Sequence, residues 1–252
     1  MNTNKAITEA ERPTLMILPG LMCDSRMFSA QVAALSDVFV VDGFYAGCHH
    51  ISDMADYALA RAPEKFALLG HSMGARIALE VIRKAPERVE RIALADTGIH
   101  PVRPGEADKR YALRDVGRQH GMVALVDEWL PPMMAPAQQK NVALVALLHE
   151  MAVDAGLATF EAQIEALLSR PEVEDVLPAI GCPAFAIVGD EDQWSPVDQH
   201  QAIANKIPGA QLRVVKGAGH MLPAEKPNEF NEILREWLNW PSHVVTSPAT
   251  FA

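Results

Sequence analysis

Cysteine is scarce in this chain of 252 residues, and its three copies, Cys23, Cys48 and Cys182, are odd in number and far apart. A secreted disulfide framework shows an even and denser set, so a reducing, cytoplasmic setting is expected. Basic charge is also short: 22 Lys and Arg face 32 Asp and Glu, for a net charge of −10. Phosphate binding rests on clustered Lys and Arg, and no such cluster occurs, which argues against nucleic acid as a partner. The first 13 residues lack the apolar stretch of a signal peptide, and no run of about 18 apolar residues suggests a membrane span. Internal repeats and low-complexity tracts are absent as well. Cys48-His49-His50 lacks paired ligand spacing and reads as a loop, so no metal is expected.

What the chain does contain is 49% hydrophobic residues in a regular alternation. Short apolar runs at residues 14–18, 38–41, 66–69, 91–95, 184–188 and 211–215 end in turn residues such as Pro19-Gly20, Asp42-Gly43 and Gly70. They lack in-and-out alternation, which suits strands covered on both faces of a parallel sheet. Helical patterns lie between them at residues 52–62, 73–85 and 228–240, the first with Ser52 as its expected cap and Asp53 and Asp56 in its first turn. This order implies an α/β architecture of about six mostly parallel strands flanked by helices. The rhythm breaks at residues 99–177, where only helical stretches are expected: 107–120, 122–129, 137–154 and 159–168, punctuated by Gly121, Pro131-Pro132, Pro136, Gly156 and Pro171. The expected division is a core of residues 13–98 and 178–240, an inserted helical cap at 99–177, and irregular tails at 1–12 and 241–252.

Gly70-His71-Ser72-Met73-Gly74 follows an expected strand and opens an expected helix. A strand-to-helix turn this tight needs small flanking residues and holds the serine hydroxyl above the sheet, beside free helix N–H groups. A serine hydroxyl needs a histidine base, and the base needs an orienting acid. Asp192 lies in Gly189-Asp190-Glu191-Asp192 beyond the fifth run, and His220 in Gly217-Ala218-Gly219-His220 beyond the sixth. Both fall at the carboxyl edge of the sheet, where open α/β sheets place their sites. Asp96, after the fourth run, is a less usual acid. His71 is expected to pack sideways, and Cys23 to be a partly buried thiol.

These segments, with Leu18-Pro19-Gly20-Leu21-Met22, resemble the α/β-hydrolase superfamily across roughly residues 13–240. The likeness is to small esterases, lactonases and enol-lactone hydrolases with a helical cap. The resemblance selects Asp192 over Asp190 and implies a catalytic triad of Ser72, Asp192 and His220. It implies an oxyanion hole from the N–H of Met73 and that of Leu21, with Met22 the less favoured alternative. This sequence departs from the family in two places: the usual N-terminal antiparallel hairpin has almost no room before Thr14, so six parallel strands are expected rather than eight, and Ala75 stands where the family commonly has glycine. Met22, Trp129, Met133, Met134 and Met221 are the candidate substrate-binding residues, because Met and Trp suit an adaptable apolar pocket. Arg26, Arg103 and Arg114 are the arginines considered for a substrate carboxylate.

The implied activity is hydrolysis of a small to medium, partly apolar ester or lactone through an acyl-enzyme, without metal or organic cofactor. A cofactor-independent haloperoxidase or a C–C bond hydrolase uses the same triad, and a non-catalytic receptor uses the same fold. A small molecule is the expected partner, with no nucleic acid and no membrane. A homodimer is an open option.

Overall fold

A computed structural model of the chain describes residues 13–241. Six strands form one sheet: β1 (Leu15–Leu18), β2 (Val38–Val40), β3 (Phe66–His71), β4 (Val89–Ala95), β5 (Ala184–Gly189) and β6 (Gln211–Val215). Their order is β2-β1-β3-β4-β5-β6, and every pairing is parallel, as the apolar runs foretold. The chain leaves β1 towards one edge and returns past it to β3, so the strand order reverses between these two. That is the switch point at which open α/β sheets open a crevice at their carboxyl edge.

The central strands are mainly apolar because each supplies two cores, whereas β4 carries Glu90 and Arg91 near its start and the edge strand β6 carries Gln211 and Arg213. Leu15, Ile17, Leu69, Ala93 and Phe185 enter one hydrophobic cluster, while their neighbours Met16, Leu18, Leu68, Ile92 and Leu94 enter the other. Among the described residues, eight α-helices flank the sheet or cross its edge: α1 (Ser29–Ala34), α2 (Ile51–Leu59), α3 (Met73–Lys84), α4 (Glu106–Trp129), α5 (Val142–Leu168), α6 (Val197–Lys206), α7 (Leu222–Glu225) and α8 (Pro227–Leu238). Helix α2 starts one residue before Ser52, which lies inside its first turn while His50 takes the cap position. The short α1 carries too little apolar periodicity to stand out in the sequence.

Between β4 and β5 there is no strand. Helices α4 and α5 dominate this segment, and each bends at a glycine, Gly121 (φ 86°, ψ 172°) and Gly156 (φ 77°, ψ 159°). The stretches expected at 107–120 and 122–129 are therefore two helical segments that meet at the non-helical Gly121, and Gly156 divides α5 in the same way. Helix α5 is long enough to cross a membrane, and its most apolar stretch has a mean hydropathy of 1.5, more than a search for uninterrupted apolar runs revealed. His149, Glu150 and Asp154 interrupt that run, and Leu148, Met151, Ala152, Phe160 and Ile164 are packed into the first core cluster.

Candidate active site

The local fold around Ser72 follows from its two glycines. A Cβ on Gly74 would lie 1.9 Å from the Leu18 carbonyl oxygen, and one on Gly70 would lie 2.5 Å from the Ala75 Cα. Only hydrogen fits at either place, so β3 turns directly into α3. Ser72 sits at the apex with φ 53° and ψ −116°, a conformation L-residues avoid. Its backbone is held by a bond from its own N–H to the Ala95 carbonyl at 2.9 Å and by the Thr97 hydroxyl, which donates to its carbonyl at 3.0 Å.

Ser72, His220 and Asp192 converge. The His220 Nε2 lies 2.8 Å from Ser72 Oγ, and its Nδ1 lies 2.8 Å from Asp192 Oδ2. The acid is itself well anchored. Its Oδ1 accepts the N–H groups of Trp194 and Ser195 at 2.8 and 3.0 Å, and its Oδ2 also accepts the Ser195 hydroxyl at 2.7 Å. Burial alone would raise this carboxyl, but His220 and the Ser195 donors hold it well below the usual carboxylate range. Asp192 thus caps the turn ahead of α6 and faces the imidazole at once.

The rival acids are engaged elsewhere. Asp190 Oδ1 accepts the Gly217 N–H at 2.7 Å in an exposed loop. Asp96 accepts the Gly189 N–H at 3.2 Å, and its other oxygen lies 3.8 Å from His71. Burial, then the nearby Asp192, pushes the Asp96 carboxyl up, which favours its neutral form. His71 does pack sideways: its Nε2–H donates to the His220 carbonyl at 2.8 Å. Burial first, and the neighbouring His220 second, lowers His71 to about 3, so it is neutral. Burial raises the Cys23 thiol far from the thiolate form.

Leu21 and Met73 both face the crevice beside Ser72. Met73 opens α3, where the first N–H groups have no intrahelical acceptor. The Met22 N–H, by contrast, donates to the Gln163 side-chain carbonyl at 2.8 Å and is not free to face the crevice.

A cavity of about 560 Å³ opens over Ser72. Trp129, Met133 and Met221 line it, as does Phe160 from α5, whereas Met22 and Met134 do not. Those two are buried in the first core cluster, Met22 behind the loop that Gln163 fastens. Of the three arginines singled out in the sequence, only Arg103 reaches the cavity. Arg26 pairs with Asp24 and Asp154, each at 2.7 Å, and Arg114 pairs with Asp115 at 2.8 Å.

Several residues of this neighbourhood carried no signal in the sequence. Arg76, four positions past Ser72 on α3, lines the cavity with only 5% of its surface exposed. Burial, then the Arg170 charge, lowers Arg76 to about 9. Glu225 is a buried carboxylate that accepts three N–H groups, from Ala135, Gly219 and Met221, at 2.9, 3.1 and 3.0 Å. The His220 N–H in turn donates to the Met133 carbonyl at 2.8 Å. The loop that carries the imidazole is thereby sewn to the segment between α4 and α5.

A serine on a strained elbow, hydrogen-bonded through histidine to a buried carboxylate, at the switch point of a parallel sheet, defines a hydrolase site. Residues 15–233 match the model of the alpha/beta hydrolase family, and the chain belongs to that family. The similarity extends to a solved thermophilic esterase from Thermogutta terrifontis, at 27% identity and a TM-score of 0.80, covering 90% of this chain and 89% of that one. An enol-lactonase from Burkholderia xenovorans shares the fold at 22% identity and a TM-score of 0.79, covering 91% and 92% of the two chains. Among curated proteins, an sn-1-specific diacylglycerol lipase from Xenopus laevis is 25% identical over 86% of this chain and 77% of its own length. The protein is an α/β hydrolase.

Proposed function

We propose that the protein cleaves a small to medium carboxylic ester or lactone by nucleophilic catalysis at Ser72. The observation that carries this reading is the unbroken hydrogen-bond chain from Asp192 Oδ2 through His220 to Ser72 Oγ, both links at 2.8 Å. In this reading the His220 Nδ1–H donates to Asp192, which fixes the tautomer and leaves Nε2 as the acceptor for the Ser72 proton. The serine oxygen attacks the substrate carbonyl, and the negative charge moves onto the carbonyl oxygen. The Leu21 and Met73 N–H groups receive that charge, each such donor being worth about 3 kcal/mol in related sites. The imidazolium then protonates the leaving alcohol oxygen. Water, deprotonated by His220, attacks the acyl-serine ester and frees the acid and Ser72.

The cavity volume of about 560 Å³ and its Trp129, Phe160, Met133 and Met221 walls favour a substrate with an apolar portion of modest size. The test is turnover of a graded panel of 4-nitrophenyl esters and lactones by the parent protein and by Ser72→Ala, together with labelling by a fluorophosphonate. Covalent modification at Ser72 and a loss of several orders of magnitude in kcat for the variant are expected. Near-normal hydrolysis by Ser72→Ala would remove this serine from the mechanism.

A further inference from the structure

The protein carries a net charge of −10, yet its catalytic cavity is lined by five cations: Arg76, Arg103, Lys109, Arg110 and Arg170. Two acidic residues line the same space, Asp96 and Glu106. Asp96 favours its neutral form for the reasons given above. Glu106 is ionised: burial would raise it, but bonds from Arg170, from the Arg103 N–H and from Arg110 bring it to about 2. Its charge is matched by Arg170, which grips both of its oxygens at 2.7 and 2.8 Å, and by Arg110 at 2.9 Å. One carboxylate therefore answers two guanidinium groups, and the other three cations remain in excess.

Arg76 is the one of these three that is buried. Its Nη2 donates to the His100 carbonyl at 2.6 Å, and its Nη1 is buried without a hydrogen-bond partner among the described residues. No carboxylate pairs with it among those residues either. Glu106 and Glu172 favour its charge from a distance but do not bond to it, so burial and the Arg170 charge prevail. A guanidinium removed from water without a bonded counter-anion is costly, and an anion in the cavity relieves that cost. Arg170 cannot substitute, since its donors already reach Glu106 and the carbonyls of Leu167 and Pro101. Burial lowers His100, beside Arg76, below its ordinary value, so its imidazole adds no positive charge of its own to this corner of the cavity at neutral pH. The position also fits the chemistry: Arg76 lies four residues past Ser72, about one helical turn from the serine at the mouth of α3.

We propose that the substrate bears a carboxylate a few bonds from its scissile carbonyl, and that Arg76 binds it, with Arg103 and Lys109 supplying a positive rim. This deepens the ester or lactone reading and rests on it for the position of the reacting carbonyl. An arginine edge takes a carboxylate in a two-pronged bond, so the site selects acid esters over neutral esters of the same length.

The test compares mono-4-nitrophenyl adipate with 4-nitrophenyl hexanoate, whose six-carbon acyl chains differ in ending with a carboxylate or a methyl group. The spontaneous rate of each is subtracted. The parent protein is expected to prefer the adipate ester by about ten- to hundredfold in kcat/KM, the range of one charge-assisted hydrogen-bonded contact. Arg76→Met should cut that ratio at least about tenfold through KM, and Arg76→Lys should restore part of it. A ratio of one or less in the parent protein, or an unchanged ratio in Arg76→Met, overturns the proposal. Where Arg76→Met does not fold, competition decides: adipate should inhibit hexanoate hydrolysis by the parent protein far better than uncharged adipamide, and equal inhibition overturns it. If neither ester is cleaved, the serine reading fails alone. The carboxylate site is then judged by the fluorescence of Trp129 and Trp194 on the cavity wall, which adipate should change and adipamide should not. An equal response to both overturns it.

Discussion

The side-chain carbonyl of Gln163, in the part of α5 beyond Gly156, accepts the backbone N–H of Met22 at 2.8 Å across 141 residues of sequence. Gln163 is fully buried, so no water replaces this bond if it is lost. The contact ties the helix that roofs the cavity to the loop after β1, whose Leu21 N–H the proposed mechanism uses. Gln163→Leu should strand a buried N–H and cost about 1–3 kcal/mol of stability in urea unfolding. Removal of the Gln163 Nε2, which has no partner among the described residues, offsets part of that loss. Because a displaced oxyanion donor weakens transition-state binding, kcat should fall about tenfold or more with KM little altered. Unchanged kcat with lowered stability would show the bond to be structural only.

Glu225 performs the equivalent task for the base. Its two oxygens accept three N–H groups, including Gly219 and Met221 on either side of His220. Burial raises its carboxyl, against the pull of those donors. Glu225→Gln keeps one acceptor oxygen and turns an amide NH2 toward at least one backbone N–H, so a donor meets a donor. A loss of about 2 kcal/mol is expected, with the His220 loop loosened from Met133 and Ala135. The kinetic mark of that loosening is a lower kcat for the parent ester, and its absence would sink the positioning role.

How much of this was legible beforehand depends on how local each cause is. The central strands were readable because burial on both faces keeps them mainly apolar, while the half-buried edge strands β2 and β6 gave shorter or more polar runs. The elbow was readable because two glycines and a serine at fixed spacing are demanded by one turn. Asp192 and His220 were found because each sits just past the end of its strand. Gln163, Glu225 and Arg76 left no such trace. Gln163 meets Met22 and Arg76 meets the His100 carbonyl far along the chain, and Glu225 meets only backbone N–H groups, which no residue type marks; a lone Gln, Glu or Arg in a helix normally reads as a solvated face. Arg26 and Arg114 looked equally suitable until Asp24, Asp154 and Asp115 were found to occupy them.

Two buried histidines give the fold an acid limit. Burial lowers His200 to about 4 and His71 to about 3. His200 Nε2 accepts the Thr97 N–H at 2.9 Å, which a protonated ring cannot do. Below its ordinary value near 6.5, each histidine takes up a proton in the unfolded chain while the folded chain refuses it. Stability therefore falls as pH falls from about 6.5 to about 4 for His200 and to about 3 for His71, by on the order of 2 kcal/mol per histidine at pH 4.5. The raised carboxyls of Asp96 and Glu225 act in the opposite sense, so the contribution is isolated by difference. His200→Gln should flatten the decline between pH 7 and pH 4.5 measured by urea unfolding. Parallel declines for parent and variant would exclude His200 as a cause.

Ser72 places stability and activity in opposition. Its φ of 53° with ψ −116° is imposed by the contacts of Gly70 and Gly74, and an L-residue there stores about 1–3 kcal/mol of backbone strain. Alanine inherits that strain because it keeps the Cβ, whereas glycine does not. Ser72→Gly should therefore unfold at higher urea than Ser72→Ala, by about 1 kcal/mol after allowance for the greater freedom of glycine in the unfolded chain. Both variants should be equally poor hydrolases, since both lack the hydroxyl 2.8 Å from His220. The comparison separates the turn from the chemistry. If the glycine variant were no more stable than the alanine variant, the elbow would hold its serine without strain, and the tight turn would be a matter of fit alone.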